Sequence, residues 1–597
     1  MIQALSELLQ EVQEALKSND YETAVRKAET ALDTEDLPKE YEFSFGYSAM
    51  LGQAELRNIS KAADFAYVAL GNAPDSSEVY YNIGLILLRA GAVLLAGKVL
   101  QKSVALDDTN ILALQNLGNL MSKFGNLDSA RALLHRAFEL APTDAALANS
   151  LGNCYKEAGA LDGAIKYYGK AIELQPRMAG AASNLCYVQQ FIDSMTPQRL
   201  LALHKDWATK FEEGKRPQWN TRNIDTSRPL RIGFVSEDFR NHTVGNYLVS
   251  VFESMAKRDC KLYCYYTGIA DDTVTERFRS AASGFRTCVD QSDREMCRRI
   301  AADEIDVLVD LSGHTSGSRL TLFARRPAPV QVSWLGYVGT TGLEAMDYVI
   351  SNYEVAPVGS EALYTEDIIR FPSGMPHQCY MVPRDMPAPS TELPCERNNY
   401  ITFGTVSTAA KLSPRTVKFF AECLTEVKGS KLLLQGTAYK SEKVQESIGK
   451  AFESHGVDSG RLIFKGGHSQ LTTWETYNEI DVALDPLAFS GCTTTCEALA
   501  MGVPVITMPG QTAASRHSAS FLRSLGLEIM IAHDLHSYVD QAATMAEELQ
   551  YRRFLRTDLR GRMQESSLCD YAKFAENILS SLQTACKLHN GLLEDSE

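Results

Sequence analysis

LQNLGNLMSKFGNLDSARALLHRAFELAPTD (114–144) is one copy of a segment that the first third of the chain repeats. The copy before it is YYNIGLILLRAGAVLLAGKVLQKSVALDDT (80–109), and the copy after it is LANSLGNCYKEAGALDGAIKYYGKAIELQP (147–176). Small residues recur every 34 positions in three columns: Gly84, Gly118 and Gly152; Gly91, Gly125 and Gly159; Ala96, Ala130 and Ala164. Small residues let two helices approach closely, the second glycine column suits the turn between them, and proline ends the second helix at Pro142 and Pro176. The segment therefore predicts a stack of helix pairs.

This pattern resembles the tetratricopeptide repeat. A more degenerate unit at 43–76 keeps Ala62 and Pro74 in register, and a helix pair at 5–35 begins the stack. Such repeats form a solenoid whose concave face commonly holds a peptide or protein. An unrelated helical bundle is the alternative interpretation. We predict an all-α solenoid over 1–195 and a helical linker over 196–227.

The pattern changes at Arg228-Pro229, where buried strands begin to alternate with amphipathic helices. This alternation predicts parallel, doubly wound sheets in two consecutive Rossmann-like domains, at 228–385 and 400–586. A Pro-rich, polar segment (386–399) separates the two domains, and 587–597 is a tail. The predicted strands are LRIGFVSEDF (230–239), KLYCYYT (261–267), DVLVDLS (306–312), VQVSWLG (330–336), MDYVISN (346–352), NYITFGTV (399–406), SKLLLQG (430–436), RLIFKGG (461–467), IDVALDP (480–486) and VPVITMPG (503–510).

Two such domains in series predict a ligand cleft at the carboxyl ends of their strands. No GxGxxG follows either first strand, which argues against a nicotinamide dehydrogenase.

Composition excludes several classes of protein. With 597 residues the chain is long enough for several domains, and its net charge of −15 argues against coating nucleic acid or anionic lipid. The chain lacks a run of about 18 apolar residues, and it begins with an acidic amphipathic helix rather than a signal peptide. The thirteen cysteines include no CxxC and no tight Cys/His cluster, so we expect neither disulfides nor a structural zinc, and a cytoplasmic location.

The segment IDVALDPLAFSGCTTTCEALAMGVPVITMPG (480–510) carries the strongest chemical signal. A strand is followed by a small-residue loop that runs directly into a helix. Free N–H groups at a helix start carry about half a positive charge and suit a diphosphate, and hydroxyls add donors. Glu497, one turn into the helix, could bind ribose hydroxyls. The alternative is ordinary threonine N-caps. The loop residues are Ser490, Gly491, Cys492, Thr493, Thr494 and Thr495.

Lys411 lies in the loop after the first strand of the second domain, together with Ser407 and Thr408. We expect these side chains to reach the same cleft, where an ammonium group would neutralise charge on a departing diphosphate. The alternative is a solvated loop lysine, as most lysines are.

In the first domain, His242 follows the first strand, and a histidine at that edge can act as acid, base or sugar ligand. The alternative is a polar surface histidine. Two further strand-end loops are rich in small and hydroxylated residues and would suit a sugar ring. They contribute His314, Gly336, Tyr337, Gly339, Thr340 and Thr341.

Several long motifs together resemble the bacterial protein O-linked N-acetylglucosamine transferases, a family that also holds animal and plant enzymes. The motifs are DFRNH, DLSGHTSGSR, RRPAPVQVSWLGYVGTTG, LDPLAFSGCTTTCEALAMGVPVITMPG and ASR. The order of parts agrees as well, with tetratricopeptide repeats followed by a two-domain GT-B catalytic region. The resemblance covers residues 43–585.

The resemblance implies a role for several residues. His242 matches the histidine beside the acceptor hydroxyl, and Lys411 matches the lysine at the donor diphosphate. Thr493 and Thr494 match the hydroxyl pair at the phosphates, and Glu497 takes the place of an acidic ribose ligand. The loop from Gly336 to Gly342 matches the segment that lines the donor sugar. The family is inverting and independent of metal ions, so we expect no cofactor.

Two positions depart from the animal enzymes, in which a histidine stands at Cys492 and a glutamine at Thr408. These changes remove side-chain contacts that could select the sugar, so UDP-glucose remains a second candidate donor, which one branch of the family uses to glycosylate asparagine. The leading hypothesis is transfer of N-acetylglucosamine from UDP-GlcNAc to Ser or Thr of a protein docked on the repeats. A noncatalytic repeat scaffold and an epimerase acting on free UDP-sugar are two further hypotheses.

Overall fold

The computed structural model describes residues 2–212, 223–225, 227–467 and 469–591. Contacts within the chain divide it into two compact units, residues 1–154 and residues 155–597. Parts of the predicted helical linker (196–227) and of the predicted tail (587–597) lie outside the described residues.

The first unit is built of helix pairs joined by short turns, as the repeat predicts. Helices and short turns alternate along this unit. A ninth helix, α9 (Ala145–Glu157), continues across the boundary into the second unit. The first eight are α1 (Ile2–Lys17), α2 (Tyr21–Leu32), α3 (Lys39–Glu55), α4 (Ile59–Gly71), α5 (Ser77–Arg89), α6 (Val93–Leu106), α7 (Ile111–Lys123) and α8 (Leu127–Leu140).

The glycine columns have the two roles that the sequence predicts. Gly91 and Gly125 occupy the inter-helix turns with φ of +80° and +81°, a left-handed conformation that favours glycine. At Gly84 and Gly118 the helices approach so closely that an added Cβ would lie 2.8 Å and 2.7 Å from the Cγ atoms of Leu100 and Leu134. Glycine therefore sets both the turn and the helix spacing.

The second unit begins with helices that pack on its first sheet. These are α10 (Leu161–Leu174), α11 (Ala179–Gln189) and α12 (Pro197–Glu212). Cys186 of α11 and Trp207 of α12 share a buried cluster with Val235 and Leu308 of that sheet. The predicted solenoid boundary at 195 therefore differs from the division in the structure, which places residues 155–195 with the α/β part.

The first sheet has seven parallel strands in the order β3-β2-β1-β4-β5-β6-β7. Six of the seven residues of β1 are buried, because helices cover both faces of the sheet. The sequence predicts five of these strands and misses β3 and β7, which form the two edges and are largely half-buried. The strands are β1 (Leu230–Ser236), β2 (Cys260–Tyr266), β3 (Gly284–Thr287), β4 (Val307–Asp310), β5 (Val330–Ser333), β6 (Tyr348–Ser351) and β7 (Asp367–Arg370), and the helices are α13 (Thr243–Met255), α14 (Thr273–Ala281), α15 (Asp293–Ala302) and α16 (Leu320–Phe323).

The second sheet has five parallel strands in the order β10-β9-β8-β11-β12, and the sequence predicts all five. The order reverses between β8 and β11, which is where an open α/β sheet binds ligands. The strands are β8 (Thr402–Val406), β9 (Lys431–Gln435), β10 (Leu462–Lys465), β11 (Val482–Leu484) and β12 (Val505–Ile506).

Nine helices in the described part of the chain accompany this sheet or follow it. A short helix, α17, lies within the segment predicted as a linker (386–399). The last helix, α25, packs on the first sheet rather than the second: its Phe574, Ile578 and Leu582 belong to a cluster with Ile232 and Phe234 of β1. The helices are α17 (Pro394–Asn398), α18 (Pro414–Glu426), α19 (Glu442–Glu453), α20 (Gln470–Thr476), α21 (Thr493–Ala500), α22 (His517–Ser524), α23 (Leu535–Glu547), α24 (Leu549–Glu565) and α25 (Tyr571–His589).

The predicted second domain (400–586) thus includes a helix that the structure assigns to the core of the first domain. Within the described ranges, no helix combines the length and the apolar character needed to cross a membrane.

We expect a glycine-to-alanine substitution to destabilise the protein where two helices approach closely, and to stabilise it where the glycine faces open space. Gly118→Ala should lower the free energy of unfolding by about 1–3 kcal/mol, because the new methyl group overlaps Leu134. Gly169→Ala in α10 should raise it by about 0.5–1 kcal/mol, because its Cβ meets nothing within 4 Å and alanine favours helix. Urea unfolding followed by circular dichroism measures both. Equal stability of Gly118→Ala and the wild type would contradict the packing described here.

Candidate functional site

Lys411 points into the loop that follows β11. It is the last residue of a 3-10 turn (Ala409–Lys411) after β8. Its Nζ donates a 2.7 Å hydrogen bond to the carbonyl oxygen of Ser490 and lies 4.5 Å from the centroid of the Phe489 ring. Burial lowers the pKa of Lys411, and the carboxylate of Asp485 opposes that shift. The ammonium group therefore lies against the loop that follows β11 rather than in bulk solvent.

The loop from Ser490 to Cys492 is fixed by contacts on both sides. The N–H of Gly491 donates a 2.5 Å hydrogen bond to Oδ1 of Asp485, and the N–H of Ser490 donates to the carbonyl oxygen of Ala514 at 3.0 Å. A Cβ at Gly491 would lie 2.2 Å from Oγ1 of Thr495, so only glycine fits. Asp485, the residue that follows β11, thus sets the position at which α21 begins.

The three threonines that start α21 do not share one role. Thr493 and Thr494 are half-buried at the helix N-terminus. Thr495 is 3% exposed, and its Oγ1 lies 2.8 Å from Oγ of Ser518 in a hydrogen bond. The hydroxyl of Thr495 therefore already has a buried internal partner, and the predicted contact of Thr495 with the diphosphate stays a prediction that the position of its side chain does not support.

A cavity of about 260 Å³ joins the two Rossmann-like domains beside α21. His242 and Tyr247 line it from the first domain, and Gln470, Thr493 and Glu497 line it from the second. The structure thus brings together the predicted histidine after β1, a predicted phosphate-binding threonine and the predicted ribose ligand. Both sets of side chains come from the carboxyl ends of parallel strands, as expected of a cleft between such sheets.

His242 precedes α13 as its N-cap residue. Its Nδ1 lies 3.3 Å from the N–H of Val244 and 3.2 Å from Oδ1 of Asp238. One nitrogen cannot serve both partners: a proton on Nδ1 is donated to Asp238, whereas an unprotonated Nδ1 accepts from Val244. Burial, together with the charge of Arg240, lowers the pKa of His242 to about 4, although the charge of Glu237 opposes this shift. The ring is neutral at pH 7, and the tautomer that pairs with Asp238 leaves Nε2 able to accept a proton.

Glu497 lines the same cavity but is already hydrogen-bonded. Its Oε1 accepts from Nε1 of Trp474 at 3.0 Å and from Nε2 of Gln470 at 3.1 Å. Burial raises its pKa, and the two donors partly offset that rise. The carboxyl group is therefore held in one orientation at the cavity wall, and its role toward ribose stays a prediction.

A second cavity, of about 490 Å³, contains part of the predicted sugar-binding loop. Tyr337, Gly339 and Thr340 line it, and residues of α12 and of the loop before α22 complete it. Gly336 and Thr341 do not line this cavity. A Cβ at Gly336 would lie 1.9 Å from the carbonyl oxygen of Leu311, and Thr341 is fully buried.

Glu366 holds this loop in place. Its Oε1 accepts from the N–H of Thr341 at 2.7 Å and also from the hydroxyl of Thr341, and its Oε2 accepts from Oγ1 of Thr340 at 2.7 Å. Thr341 therefore shapes the loop from a buried position that does not support its predicted place in the sugar site, and the predicted role of Gly336 stays a prediction.

His314 is also internal. It is 0% exposed, its Nδ1 lies 3.1 Å from Oγ of Ser183, and its Nε2 lies 2.9 Å from the carbonyl oxygen of Thr341. The rings of His204 and Trp207 from α12 pack against it edge-on. The prediction that His314 lines the site is therefore wrong, because the histidine joins α11 and α12 to the first sheet.

The two hydroxyl residues before Lys411 also differ from each other. Ser407 is buried, and its Oγ accepts a 3.4 Å hydrogen bond from Thr405. Thr408 is exposed, and its side chain makes no capping hydrogen bond to the 3-10 turn. The burial of Ser407 does not support its predicted role as a ligand, whereas the exposed position of Thr408 is compatible with one, and both roles stay predictions.

The side chain of Cys492 lies close to those of His377 and His517, which are distant from it in the sequence. Ligand atoms of His377, Cys492 and His517 all lie within 4.8 Å of one another. The sequence does not reveal this cluster, because the residues come from three separate elements. Nε2 of His377 and Nδ1 of His517 are 2.7 Å apart, closer than the roughly 3.3 Å between two nitrogens on a tetrahedral zinc. Burial lowers the pKa of His517, and the charges of His377 and Lys411 lower it further, so the cluster fits a hydrogen-bonded imidazole pair better than a cation site.

Sequence reasoning missed three residues that shape this site. Asp485 anchors Gly491, Phe489 lies under the Lys411 ammonium, and Tyr247 lines the smaller cavity. The position of Asp485 at a strand end is a signal that sequence inspection could have used. Nothing in the local pattern marks Phe489 or Tyr247, because each acts through contacts with distant elements.

Comparisons with known proteins agree with this architecture. A family model described as glycosyl transferase family 41 matches residues 212–386 and 378–578, and a tetratricopeptide-repeat model matches 9–77 and 116–179. A solved structure of the Thermobaculum terrenum O-GlcNAc transferase, a lysine-to-methionine mutant, is similar with a TM-score of 0.81 and 31% identity, covering 86% of this chain and 98% of that one.

Two plant proteins are also similar to this chain. The probable UDP-N-acetylglucosamine–peptide N-acetylglucosaminyltransferase SPINDLY of Solanum lycopersicum is 31% identical over 412 residues, which are 67% of this chain and 43% of that protein. The probable enzyme SEC of Arabidopsis thaliana is 29% identical over 374 residues, 60% of this chain and 37% of that protein. The chain thus spans less than half the length of these relatives. Because the family model matches more than half of it, the chain belongs to glycosyl transferase family 41.

Proposed function

We propose that this chain transfers N-acetylglucosamine from UDP-GlcNAc to a Ser or Thr hydroxyl of a protein acceptor, with inversion at the anomeric carbon and without a metal ion. The names of its relatives specify that donor and a peptide acceptor. The observation that carries the proposal is the ammonium group of Lys411, fixed 2.7 Å from Ser490 at the entrance to α21.

Departure of the diphosphate is the step that this geometry assists. As the bond between the sugar and UDP breaks, negative charge develops on the β-phosphate. Lys411, the N–H groups at the start of α21 and the hydroxyls of Thr493 and Thr494 would supply positive potential to that phosphate, and the hydrogen bond from Lys411 to Ser490 already orients the ammonium group. The exposed hydroxyl of Thr408 lies on the loop of Lys411 and can add a donor.

The acceptor hydroxyl would attack from the side opposite UDP. Its proton passes to Nε2 of His242 as the new glycosidic bond forms, while Nδ1–H of the same ring donates to Asp238. The low pKa of His242 keeps the ring unprotonated at pH 7 and so able to act as the base. Glu497 and the loop residues Tyr337, Gly339 and Thr340 are proposed ligands of the ribose and of the donor sugar.

The acceptor protein is proposed to dock on the helical repeats, which is the common use of such arrays. A cytoplasmic setting is proposed as well. All thirteen cysteines lie within the described residues and none of them forms a disulfide, and thiols in this number favour a reducing compartment.

A donor panel with mass spectrometry tests the proposed reaction. We expect UDP release from UDP-GlcNAc, and an added N-acetylhexosamine on Ser or Thr of peptides from an acceptor library. Lys411→Met should lower the rate at least about a hundredfold, because it removes a charge contact to the leaving group. Lys418→Met, an exposed lysine in α18, is the matched control and should leave the rate unchanged.

Several outcomes of this panel would overturn the proposal in different ways. A hexose on Asn from UDP-glucose, or transfer from a different nucleotide sugar, would replace the donor or the acceptor. Full activity in Lys411→Met would contradict the role of the lysine. Failure of every nucleotide sugar to bind would indicate a noncatalytic scaffold.

The environment of His242 predicts an unusual pH profile. Because burial depresses its pKa from 6.5 to about 4, the basic form is present throughout the neutral range and is lost only as the pH falls through about 4. The acid limb of kcat/KM should therefore lie near pH 4, and activity should be flat between about pH 5.5 and 7. His242→Ala should lower kcat, with the fold checked by circular dichroism. An acid limb near 6.5 in the wild type, or a near-full rate in His242→Ala, would contradict the assignment.

A further inference from the structure

We propose that the last helical repeat is part of the catalytic centre: residues of α11 and of the turns that flank the α10–α11 pair form a clamp that positions Lys411 through Phe489. This inference rests on the role proposed for Lys411. It goes further by assigning positioning residues outside both Rossmann-like domains, in a segment whose expected use is only to bind the acceptor.

The first contact of the clamp is between Gly159 and the 3-10 turn that ends at Lys411. Gly159, between α9 and α10, has φ of +74°. A Cβ built there would lie 2.8 Å from the carbonyl oxygen of Ala409, two residues before Lys411. The repeat turn therefore presses directly on the backbone of the 3-10 turn, and glycine is required for both its conformation and the space available.

The second contact lies just after Lys411. Asp193, in the turn that follows α11, accepts a 2.7 Å hydrogen bond from Oγ of Ser413 and a 2.8 Å hydrogen bond from the N–H of Arg415. These donors belong to the N-terminal end of α18, where a carboxylate is favoured by the helix dipole. The loop of Lys411 is thus fixed at both of its ends by residues of the last repeat.

The third contact reaches the ammonium group itself. The ring of Phe191 stacks on the ring of Phe489 with centroids 4.9 Å apart and an interplanar angle of 15°, and Tyr187 packs edge-on against Phe489 at 6.2 Å. Phe489 also contacts Lys411, whose Nζ lies 4.5 Å from its centroid. An aromatic ring attracts a cation, so Phe489 stabilises the charged form of a lysine that burial would otherwise tend to neutralise.

These contacts also explain where the chain divides. Residues 155–195 repeat the pattern of the solenoid, yet they cluster with the α/β part. Gly159 and Asp193 contact the two ends of the Lys411 loop, and Phe191 contacts Phe489 in the loop after β11. The last repeat is therefore structurally a part of the glycosyltransferase.

The test compares variants that remove the aromatic support with variants that keep it. In the full chain, Phe489→Leu and Phe191→Leu should lower kcat for the donor reaction roughly tenfold, and Phe489→Tyr should retain it. Phe489→Leu should also move the alkaline limb of the pH profile to lower pH, because loss of the ring favours the neutral amine. Asp193→Ala should lower kcat as well. Phe138→Leu, an aromatic residue of α8 in the first unit, is the control and should not change the rate.

A double-mutant cycle separates this inference from the role of Lys411. If the clamp acts through Lys411, adding Phe191→Leu to Lys411→Met should cause no further loss of rate. Loss of activity in Lys411→Met, combined with wild-type rates and an unmoved alkaline limb in all the clamp variants, would overturn the clamp alone. A wild-type rate in Lys411→Met would overturn the proposed function. Thermal unfolding of each variant distinguishes a positioning effect from unfolding.

Discussion

The candidate site depends on a concentration of positive potential in a place shielded from water. The ammonium group of Lys411 and the N-terminus of α21 are both positive, and Lys411 is hydrogen-bonded to Ser490 in the loop that leads into α21. Like charges brought together in a buried crevice repel. Asp485 makes the arrangement stable without a ligand, because its carboxylate holds Gly491 and lies close enough to favour the charged lysine. A diphosphate in the crevice would supply the remaining negative charge, which is why the geometry fits an anionic leaving group.

The two sheets place this crevice through the same topological feature. In each sheet the strand order reverses beside the first strand of the domain, between β1 and β4 and between β8 and β11. His242 follows β1, Lys411 follows β8, and the Ser490–Cys492 loop follows β11. The proposed base and the proposed leaving-group residues therefore come from opposite domains. This separation suits a reaction in which the acceptor attacks on one side of the sugar and the nucleotide departs on the other.

Local patterns were sufficient for much of the fold and for part of the site. The repeat, all five strands of the second sheet and the positions of Lys411 and Thr493 could be predicted, because each depends on periodicity or on the residue type at a strand end. The edge strands β3 and β7 could not, since they are short and only partly buried. His314, Ser407, Thr341 and Thr495 have the residue types of ligands, but packing buries their polar atoms in internal hydrogen bonds. Burial of that kind depends on elements far away in the sequence, as does the meeting of His377, Cys492 and His517.

The central claim is that the ammonium group of Lys411 binds the β-phosphate of a uridine diphosphate. Isothermal titration of UDP and of UMP into the wild type and Lys411→Met tests it most directly, because the two nucleotides differ only in that phosphate. We expect the wild type to bind UDP at least about tenfold more tightly than UMP, and Lys411→Met to lose this preference with little change in its affinity for UMP. An equal loss of affinity for both nucleotides, or an unchanged preference for UDP, would contradict the account.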